Sequence, residues 1–275
     1  MNEKMNCFTC PVCKGALKQE GNSLYCEKRH CYDISRRGYV NLLMSQASKE
    51  ARHGDGKDMV DARRDFLSLG LYDKIASAVT DEIVRSAKHK MFVLDVGCGE
   101  CYYTEKVASA LINFDAIICG IDISKDALTA GSKRSADISL AVASAFDLPV
   151  GDGRVDVLMN LFAPHDEGEF RRVMRPGGLL IRAFPAERHL FELKTALYDA
   201  PYENEKPELD IDGFKTANAR RLTYEIKLMS SRDVKNLFKM TPYSYKTGAN
   251  DEKKLDDIDN IKLTIDVIVA SYIKK

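Results

Sequence analysis

Five short apolar runs alternate with helical patterns in the middle of this chain, and the alternation limits the folds that it can adopt. The runs lie at 91–96, 116–121, 138–143, 155–161 and 178–184. Strands that alternate with helices usually form one parallel sheet with helices on both faces. The sequence therefore predicts an α/β fold with a mostly parallel sheet.

The segments on either side of these runs have different patterns. Residues 57–85 carry apolar residues at helical spacing, which predicts two helices ahead of the sheet. Residues 221–229 and 261–273 alternate apolar with polar residues. This pattern is typical of antiparallel strands, and we expect them to lie around a helix at 231–239.

The composition excludes several classes of protein. The chain has 275 residues, of which 45% are hydrophobic, and its 41 basic residues balance 41 acidic ones. This balance argues against a disordered chain, and no apolar run approaches the roughly 20 residues that cross a bilayer. The first residues lack the apolar core of a secretory signal. We therefore expect a globular, intracellular protein that does not bind a membrane.

The zero net charge conceals an uneven distribution. Residues 28–52 contain six basic side chains against two acidic ones, whereas acidic residues dominate 199–212. A local basic patch can contact nucleic-acid phosphates even when the whole chain is neutral. The alternative is a merely solvated face. The candidates for phosphate contact are Lys28, Arg29, Arg36, Arg37, Arg63 and Arg64.

A cluster of cysteines near the amino terminus indicates a metal site. Five of the eight cysteines fall between positions 7 and 31, and thiols in a reducing compartment more often bind metal than form disulfides. A CxxC turn followed by a second close pair predicts a closed tetrahedral zinc site with a structural role. Cys7 and Cys31 compete as ligands. The predicted ligands are Cys10, Cys13, Cys26 and His30.

The small and charged stretch at 45–57 lacks apolar periodicity and is predicted to be a linker. It divides the chain into a zinc-binding module at 1–44 and a main domain at 58–275.

A glycine-bearing turn follows the first apolar run. Asp95 lies in that run, and Gly97 and Gly99 allow a ligand to approach the backbone closely. Position 102 is Tyr102, where a dinucleotide-binding turn would have its third glycine, so the pattern does not favour NAD. Asp122 ends the second run, where a carboxylate can accept both ribose hydroxyls. Together these residues predict an adenosine ligand without a diphosphate.

Four segments in order resemble class I S-adenosylmethionine-dependent methyltransferases: 95–99, position 122, 144–149 and 174–178. The resemblance implies a Rossmann-like fold with a mostly parallel, seven-stranded sheet and S-adenosylmethionine as cofactor. It places Asp95 and residues 97–99 at the methionine end, Asp122 at the ribose, and Ser144 with Ala145 at the adenine edge.

Several strings resemble one narrower family, the RlmA-type bacterial 23S rRNA (guanine-N1)-methyltransferases. They lie at 37–43, 62–67, 98–104, 163–164, 188–194 and 240–243, all of which follow the cysteine cluster in the chain. The resemblance implies methyl transfer to N1 of a guanine in a 23S rRNA hairpin loop, RNA recognition by the zinc module, a homodimer and a cytoplasmic location. It carries cofactor contacts onto Tyr72, the backbone of Cys101 and Tyr102, and His189.

Cys101 departs from the resemblance, because the family usually has glycine at this position. If the position needs a positive φ, cysteine costs about 1 kcal/mol there, and cofactor affinity would be lower than is usual in the family.

No catalytic base can be assigned from the sequence. Guanine N1 carries a proton at neutral pH, and His165, Asp166 and Glu167 follow the fourth run as candidate acceptors. Their alternative is an ordinary helix start with Asp166 as its cap. Phe162 lies where a guanine could stack, or it closes the core.

Two other functions fit parts of the sequence. One is a small-molecule S-adenosylmethionine-dependent methyltransferase, which the general core motifs would serve. The other is a non-catalytic zinc-containing RNA-binding protein, which the departure at Cys101 would suit.

Overall fold

The computed structural model describes residues 4–44, 54–245 and 247–275. Most of the predicted linker, residues 45–53, lies outside the described residues. The strands, in chain order, are β1 (Lys18–Glu20), β2 (Ser23–Tyr25), β3 (Cys31–Asp33), β4 (Tyr39–Asn41), β5 (Phe92–Val96), β6 (Ile117–Asp122), β7 (Ile138–Val142), β8 (Val155–Leu161), β9 (Met174–Pro185), β10 (Phe214–Leu228) and β11 (Ile261–Lys274).

The helices precede, separate and follow the strands of the main sheet. They are α1 (Lys57–Leu67), α2 (Asp73–Ser86), α3 (Tyr102–Ala110), α4 (Lys125–Gly131), α5 (Glu167–Val173), α6 (Phe191–Leu197), α7 (Ser231–Lys239) and α8 (Ala249–Lys253), with 3₁₀ turns at Lys4–Cys7, Ile112–Phe114, Pro242–Tyr245 and Lys254–Asp257. Within the described ranges, no helix is both long enough and apolar enough to span a membrane.

The main sheet is mostly parallel, as predicted. Its order is β10-β11-β9-β8-β5-β6-β7-β4, and the pairs from β9 to β4 are all parallel. The five apolar runs form β5 to β9. The two alternating segments form the antiparallel pair β10 and β11, and α7 lies between them in the chain. These predictions are confirmed.

Over the described residues the sheet has eight strands rather than the expected seven. The additional strand, β4, comes from the amino-terminal module and pairs in parallel with β7, with Val40 opposite Ala141. Three residues are too few to show a periodic pattern, so no sequence signal predicted this strand. The module therefore extends the edge of the main sheet, while β1, β2 and β3 form a small sheet of their own.

The amino-terminal module also shares a core with the main domain. Successive residues of β5 face opposite sides of the sheet, so Val93 packs in one apolar cluster and Leu94 in the other. The cluster around Leu94 includes Phe8 and Leu24 of the module, both almost fully buried. Thr9 donates a backbone hydrogen bond to Pro149 at 2.8 Å. The module is therefore packed onto one face of the sheet.

Candidate metal centre and cofactor site

The four predicted zinc ligands meet at one point. Their ligand atoms all lie within 4.8 Å of one another. His30 Nδ1 is 3.4 Å from the Sγ atoms of both Cys10 and Cys26, and the Sγ atoms of Cys13 and Cys26 are 3.6 Å apart. A zinc ion bound at about 2.3 Å by sulfur and about 2.0 Å by nitrogen needs ligand separations of about 3.5–3.8 Å. The residues therefore fit tetrahedral zinc.

Two tight turns hold these ligands. The Cys10 N–H donates to the Gly15 carbonyl and Lys14 N–H donates back to the Cys10 carbonyl, each at 2.8 Å. In the second turn Arg29 N–H donates to the Cys26 carbonyl at 2.8 Å. Both turns include a residue with positive φ, Lys14 at 58° and Arg29 at 62°. The paired turns aim the thiols and the imidazole at a common centre.

The surroundings of Cys10 favour its thiolate. Burial alone would raise the pKa of Cys10, but hydrogen bonds from the Tyr32 hydroxyl and from the backbone N–H groups of Cys13 and Val12 lower it to about 6. The Tyr32 oxygen lies 3.1 Å from Cys10 Sγ. A hydroxyl that donates to a ligating sulfur is the type of outer contact that supports a metal site.

The two competing cysteines lie elsewhere. Cys7 Sγ is 2.7 Å from the Sγ of Cys119 on β6, and Cys31 is exposed on β3. Neither belongs to the cluster of ligand atoms.

A cavity of about 780 Å³ opens where the parallel strands end. The turns after β5, β6, β7 and β8 line it, and this edge is where open α/β sheets bind ligands. Most of the predicted cofactor residues lie in its wall. They are Tyr72, Gly97, Gly99, Tyr102, Asp122, Ser144, Ala145 and His189.

Asp95, which is predicted to lie at the methionine end, is buried behind this wall rather than in it. It is 2% exposed, and Thr104 of α3 donates to its Oδ2 at 2.6 Å. Burial raises the pKa of Asp95 to about 7, although the bond from Thr104 opposes the shift. Its Oδ1 atom has no hydrogen-bond partner among the described residues. The side chain fixes the start of α3 against β5.

The glycine turn and Asp122 form a cradle that fits an adenosine ligand. The backbone N–H groups of Gly99 and Ser124 each donate to the Asp122 carboxylate at 2.8 Å. Burial raises the pKa of this carboxyl, whereas the two N–H donors act against the shift. Gly97 has φ of 79°, and an added Cβ there would lie 2.3 Å from the Cβ of Ala163. Only glycine leaves this surface open.

The backbone of Cys101 is left-handed. This is the conformation in which cysteine, in place of the family's usual glycine, is strained. Its φ is 65° and ψ is 26°, and it precedes the first residue of α3. The side chain is fully buried behind the cavity, with Sγ 3.9 Å from the Sγ of Cys98. An added Cβ at Gly131 of α4 would lie 2.6 Å from Cys101 Sγ. The cysteine therefore occupies space that Gly131 leaves empty.

This packing predicts that Cys101 and Gly131 are energetically coupled. Gly131→Ala alone should destabilise the protein by about 2 kcal/mol, because the new methyl group clashes with the sulfur. Cys101→Gly removes the contact with the sulfur, the closest of the contacts made by the added Cβ, and the left-handed strain of about 1 kcal/mol. The double variant should therefore unfold at a higher urea concentration than Gly131→Ala. Simple addition of the two single effects would contradict the coupling.

An aromatic group forms the other end of the cavity. The Phe162 ring stacks on His189 with a centroid distance of 6.4 Å and lies 6.5 Å from Tyr72 and 6.3 Å from Tyr103. Phe162 is 39% exposed and has φ of 56°, a strained conformation for a bulky residue. The exposed ring shows that Phe162 does not simply close the core.

His189 is held as a neutral imidazole. The backbone N–H of Asp266 donates to His189 Nδ1 at 3.2 Å, and burial lowers the pKa of His189 to about 4. The proton therefore lies on Nε2, which donates to the Tyr72 hydroxyl at 3.3 Å. This bond orients both side chains in the cavity wall.

Arg63 lies in the cavity wall. It forms an ion pair with Asp55, and its Nη1 atom is 4.0 Å from the position of an added Cβ on Gly99. Arg64 instead pairs with Asp61 and Asp65 near the surface. Both arginines have carboxylate partners, which counts against the predicted phosphate contacts.

The candidate proton acceptors after β8 have structural partners. Asp166 accepts a hydrogen bond from the Glu169 N–H at 2.8 Å and caps α5, which confirms the alternative interpretation of this residue. His165 Nδ1 accepts from Arg182 at 3.2 Å. Glu167 Oε2 lies 3.4 Å from the Asp212 N–H and 3.9 Å from Arg171. Asp55 and Arg182 also line the cavity, and no sequence motif marked them.

Comparison with known proteins agrees with this arrangement. A zinc-ribbon family model described as "RlmA, N-terminal" matches residues 8–51, and a methyltransferase-domain model matches residues 93–178. YxjB of Bacillus subtilis (strain 168), assigned as a 23S rRNA (guanine-N(1)-)-methyltransferase, is 33% identical over 97% of both chains. The chain belongs to this family of 23S rRNA (guanine-N1)-methyltransferases.

Two other members of the (guanine-N1)-methyltransferase family match over about two thirds of their length. The 23S rRNA (guanine(748)-N(1))-methyltransferase of Streptomyces fradiae is 34% identical and covers 68% of this chain and 66% of its own. A relative from Micromonospora griseorubida, assigned to 23S rRNA (guanine-N(1)-)-methylation, is 34% identical over 68% of both chains. The zinc-ribbon match includes all four cluster residues, so the (guanine-N1)-methyltransferase ribbon and the metal centre coincide.

Proposed function

We propose that this chain transfers a methyl group from S-adenosylmethionine to N1 of a guanine in a hairpin loop of 23S rRNA. The observation that carries the proposal is the match along 97% of the chain to a relative assigned to this reaction. The cavity at the strand ends and the zinc cluster agree with it.

Each part of the cofactor has a counterpart in the cavity wall. Asp122 accepts the ribose hydroxyls, Ser144 and Ala145 border the adenine, and residues 97–99 border the methionine portion. Tyr72, His189 and the Cys101–Tyr102 backbone are assigned to contacts near the sulfur. When bound, S-adenosylmethionine supplies a methyl group on a positively charged sulfur, which is already a good leaving group. The task of the protein is then to hold the guanine in line with that methyl group.

Arg63 is assigned to the carboxylate of the methionine portion. Its guanidinium is close to Gly99 in the wall, and Asp55 supplies a carboxylate to it in this structure. An arginine fork binds a carboxylate with two charge-assisted hydrogen bonds. The Asp55 carboxylate therefore pairs with Arg63 in the position that we assign to a ligand carboxylate.

Arg63→Gln should weaken binding of S-adenosylhomocysteine about 30-fold, because a hydrogen bond between charged groups contributes about 2 kcal/mol. Binding of 5′-methylthioadenosine, which lacks the carboxylate, should not change. Calorimetry with both ligands measures the difference, and Arg64→Gln is the matched control. Equal losses for the two ligands would show that Arg63 does not bind the carboxylate.

The zinc module is proposed to hold the RNA. Lys28, Arg29, Arg36 and Arg37 are all exposed, and Lys28 and Arg29 lie between the predicted ligands Cys26 and His30. Contacts from these side chains to phosphates would make RNA binding fall steeply with salt. The loop bases of a hairpin are accessible to a base-reading enzyme, whereas those of a plain duplex are not.

We also propose a homodimer and a cytoplasmic location. β10 is a long edge strand of the main sheet, and much of it is exposed. Such an edge can pair with a second copy. The reducing conditions of the cytoplasm keep cysteine thiols available as zinc ligands.

The test of the proposed reaction uses methyl-labelled S-adenosylmethionine and protein-free 23S rRNA. We expect label in the RNA and in a hairpin fragment of it. Label only in small molecules would favour the small-molecule methyltransferase. No binding of S-adenosylmethionine by calorimetry would favour a non-catalytic RNA-binding protein.

A further inference from the structure

Arg182 is a cation in the cavity wall without a carboxylate partner. Among the described residues no carboxylate lies within ion-pair distance of it, and its Nε atom is buried without a hydrogen-bond partner. Its Nη2 atom donates to His165 Nδ1 at 3.2 Å, and the guanidinium lies 5.4 Å from the centre of the Phe184 ring. Burial lowers the pKa of Arg182, so the site disfavours the charge. A partly buried charge that is left uncompensated is costly, which indicates a ligand group that accepts from it.

The strand that carries Arg182 lies beside the turn that carries Phe162, the exposed aromatic ring of the cavity. It is opposite Asn160 in the register of β8 and β9, and the Phe162 N–H donates to the Ala183 carbonyl at 2.8 Å. Neighbouring strands are about 4.8 Å apart, so the backbone of residue 162 lies next to the part of β9 that carries Arg182. Arg182, Phe162 and Phe184 all line the same cavity.

We propose that Arg182 recognises the target guanine through its O6 and N7 atoms while the base stacks on Phe162. The inference rests on the proposed function and names the residue that selects the base. An arginine fork matches the two acceptors O6 and N7 of guanine. Adenine presents an amino group in place of O6. This amino group is a hydrogen-bond donor and would face an N–H donor of the arginine. A base held by this edge leaves N1 open toward the methyl group.

The same contact assists the reaction. The N1 proton leaves to solvent water, the electron pair on N1 forms the bond to the methyl carbon, and the carbon–sulfur bond breaks with its electrons on sulfur. Loss of the N1 proton places negative charge on O6. A preformed donor at O6 stabilises that charge as it develops.

His165 is a positioning residue for Arg182. Its Nδ1 atom accepts from Nη2, and its ring stacks on Phe170 with a centroid distance of 5.8 Å. Burial lowers the pKa of His165, and the Arg182 charge adds to that shift. The imidazole therefore stays neutral and keeps Nδ1 as an acceptor, which fixes one branch of the fork.

The test combines a protein variant with a changed base. Hairpins carry guanosine or 7-deazaguanosine at the nucleotide that the wild-type enzyme methylates, and methyl transfer is measured with wild-type enzyme, Arg182→Gln and Arg182→Lys. A good arginine pair to guanine contributes about 10-fold or more in discrimination. For wild type we expect kcat/KM to fall about 10-fold on the 7-deaza hairpin. Arg182→Gln should lose at least about 10-fold on guanosine and show no further loss on 7-deazaguanosine.

Three further measurements separate this role from a structural one. The rate of the wild type should reach its plateau at a lower pH than that of Arg182→Gln, because only the arginine favours loss of the N1 proton. Arg182→Lys should keep part of this pH effect and lose the sensitivity to N7. Binding of S-adenosylhomocysteine by Arg182→Gln should equal that of the wild type.

Equal 7-deaza penalties for wild type and Arg182→Gln would overturn the proposal. So would identical pH profiles. A wild-type enzyme that methylates no RNA would instead refute the proposed function, so the two failures are distinguishable.

Discussion

Removal of zinc is expected to unfold the amino-terminal module and to lower the stability of the whole chain. Structural zinc contributes an apparent 10 kcal/mol or more, about the full stability of a small domain. The module is not independent here, because Phe8, Leu24 and Val40 are buried in the same apolar cluster as Leu94 of the main sheet. Its loss would also uncover the edge of β7, where β4 now pairs.

The predicted linker at 45–57 implies a separate module, for which Cys26→Ser would destabilise the module and leave the main domain folded. The shared core predicts that the urea midpoint of the main transition falls as well. Limited proteolysis after chelation, with urea unfolding followed by circular dichroism, measures both effects. Cys31→Ser is the matched control, since Cys31 is exposed and outside the metal cluster. Unchanged proteolysis and an unchanged urea midpoint after full metal removal would contradict this account.

Gly97→Ala is expected to have the largest effect of a single methyl group on this protein. The new Cβ would lie 2.3 Å from the Ala163 Cβ, on a backbone with φ of 79°. The left-handed strain costs about 1 kcal/mol and the overpacking about 1–3 kcal/mol more. Any movement of residue 163 to relieve the clash would also shift the turn that carries Phe162. We therefore expect both a lower urea midpoint and a loss of S-adenosylhomocysteine binding of about 100-fold, the result of a distorted site.

Gly177→Ala is the control that separates the backbone strain from the overpacking. Gly177 has φ of 72°, and nothing lies within 4 Å of an added Cβ. This variant should lose only about 1 kcal/mol of stability, from the backbone strain, and should bind S-adenosylhomocysteine normally. If Gly97→Ala matched this control in both measurements, the glycine turn would not be the close-packed cradle described above.

Local patterns predicted most of the fold and part of the site. The apolar runs and the closely spaced zinc ligands are local patterns, and the structure has the predicted strands and the predicted cluster of ligands. β4 could not be predicted, because its three residues become a strand only by pairing with β7. The shared core had no sequence signal either, since Phe8 and Leu94 lie far apart in the chain.

The roles of the charged residues in the cavity also depend on contacts that local sequence patterns do not indicate. Arg63 is in a string that resembles the family, but its role depends on Asp55, Gly99 and the depth of the wall. Arg182 has no motif, and its position in the wall becomes visible only when β9 is placed beside β8. Asp95 belongs to one of the four methyltransferase-like segments and still lies behind the cavity, where Thr104 of α3 donates to its carboxylate. Sequence motifs identified the strand ends, whereas the tertiary packing decides which side chains reach the ligand.

The most direct test of the central claim is the position and chemistry of the modified nucleotide. Protein-free 23S rRNA is incubated with the purified chain and S-adenosylmethionine, and reverse transcription is then compared with and without cofactor. A methyl group on N1 blocks Watson–Crick pairing, so we predict a new, cofactor-dependent stop at one guanine of a hairpin loop, with 1-methylguanosine in the digested RNA. Methylated RNA with no such stop, or a stop at a base other than guanine, would contradict the account.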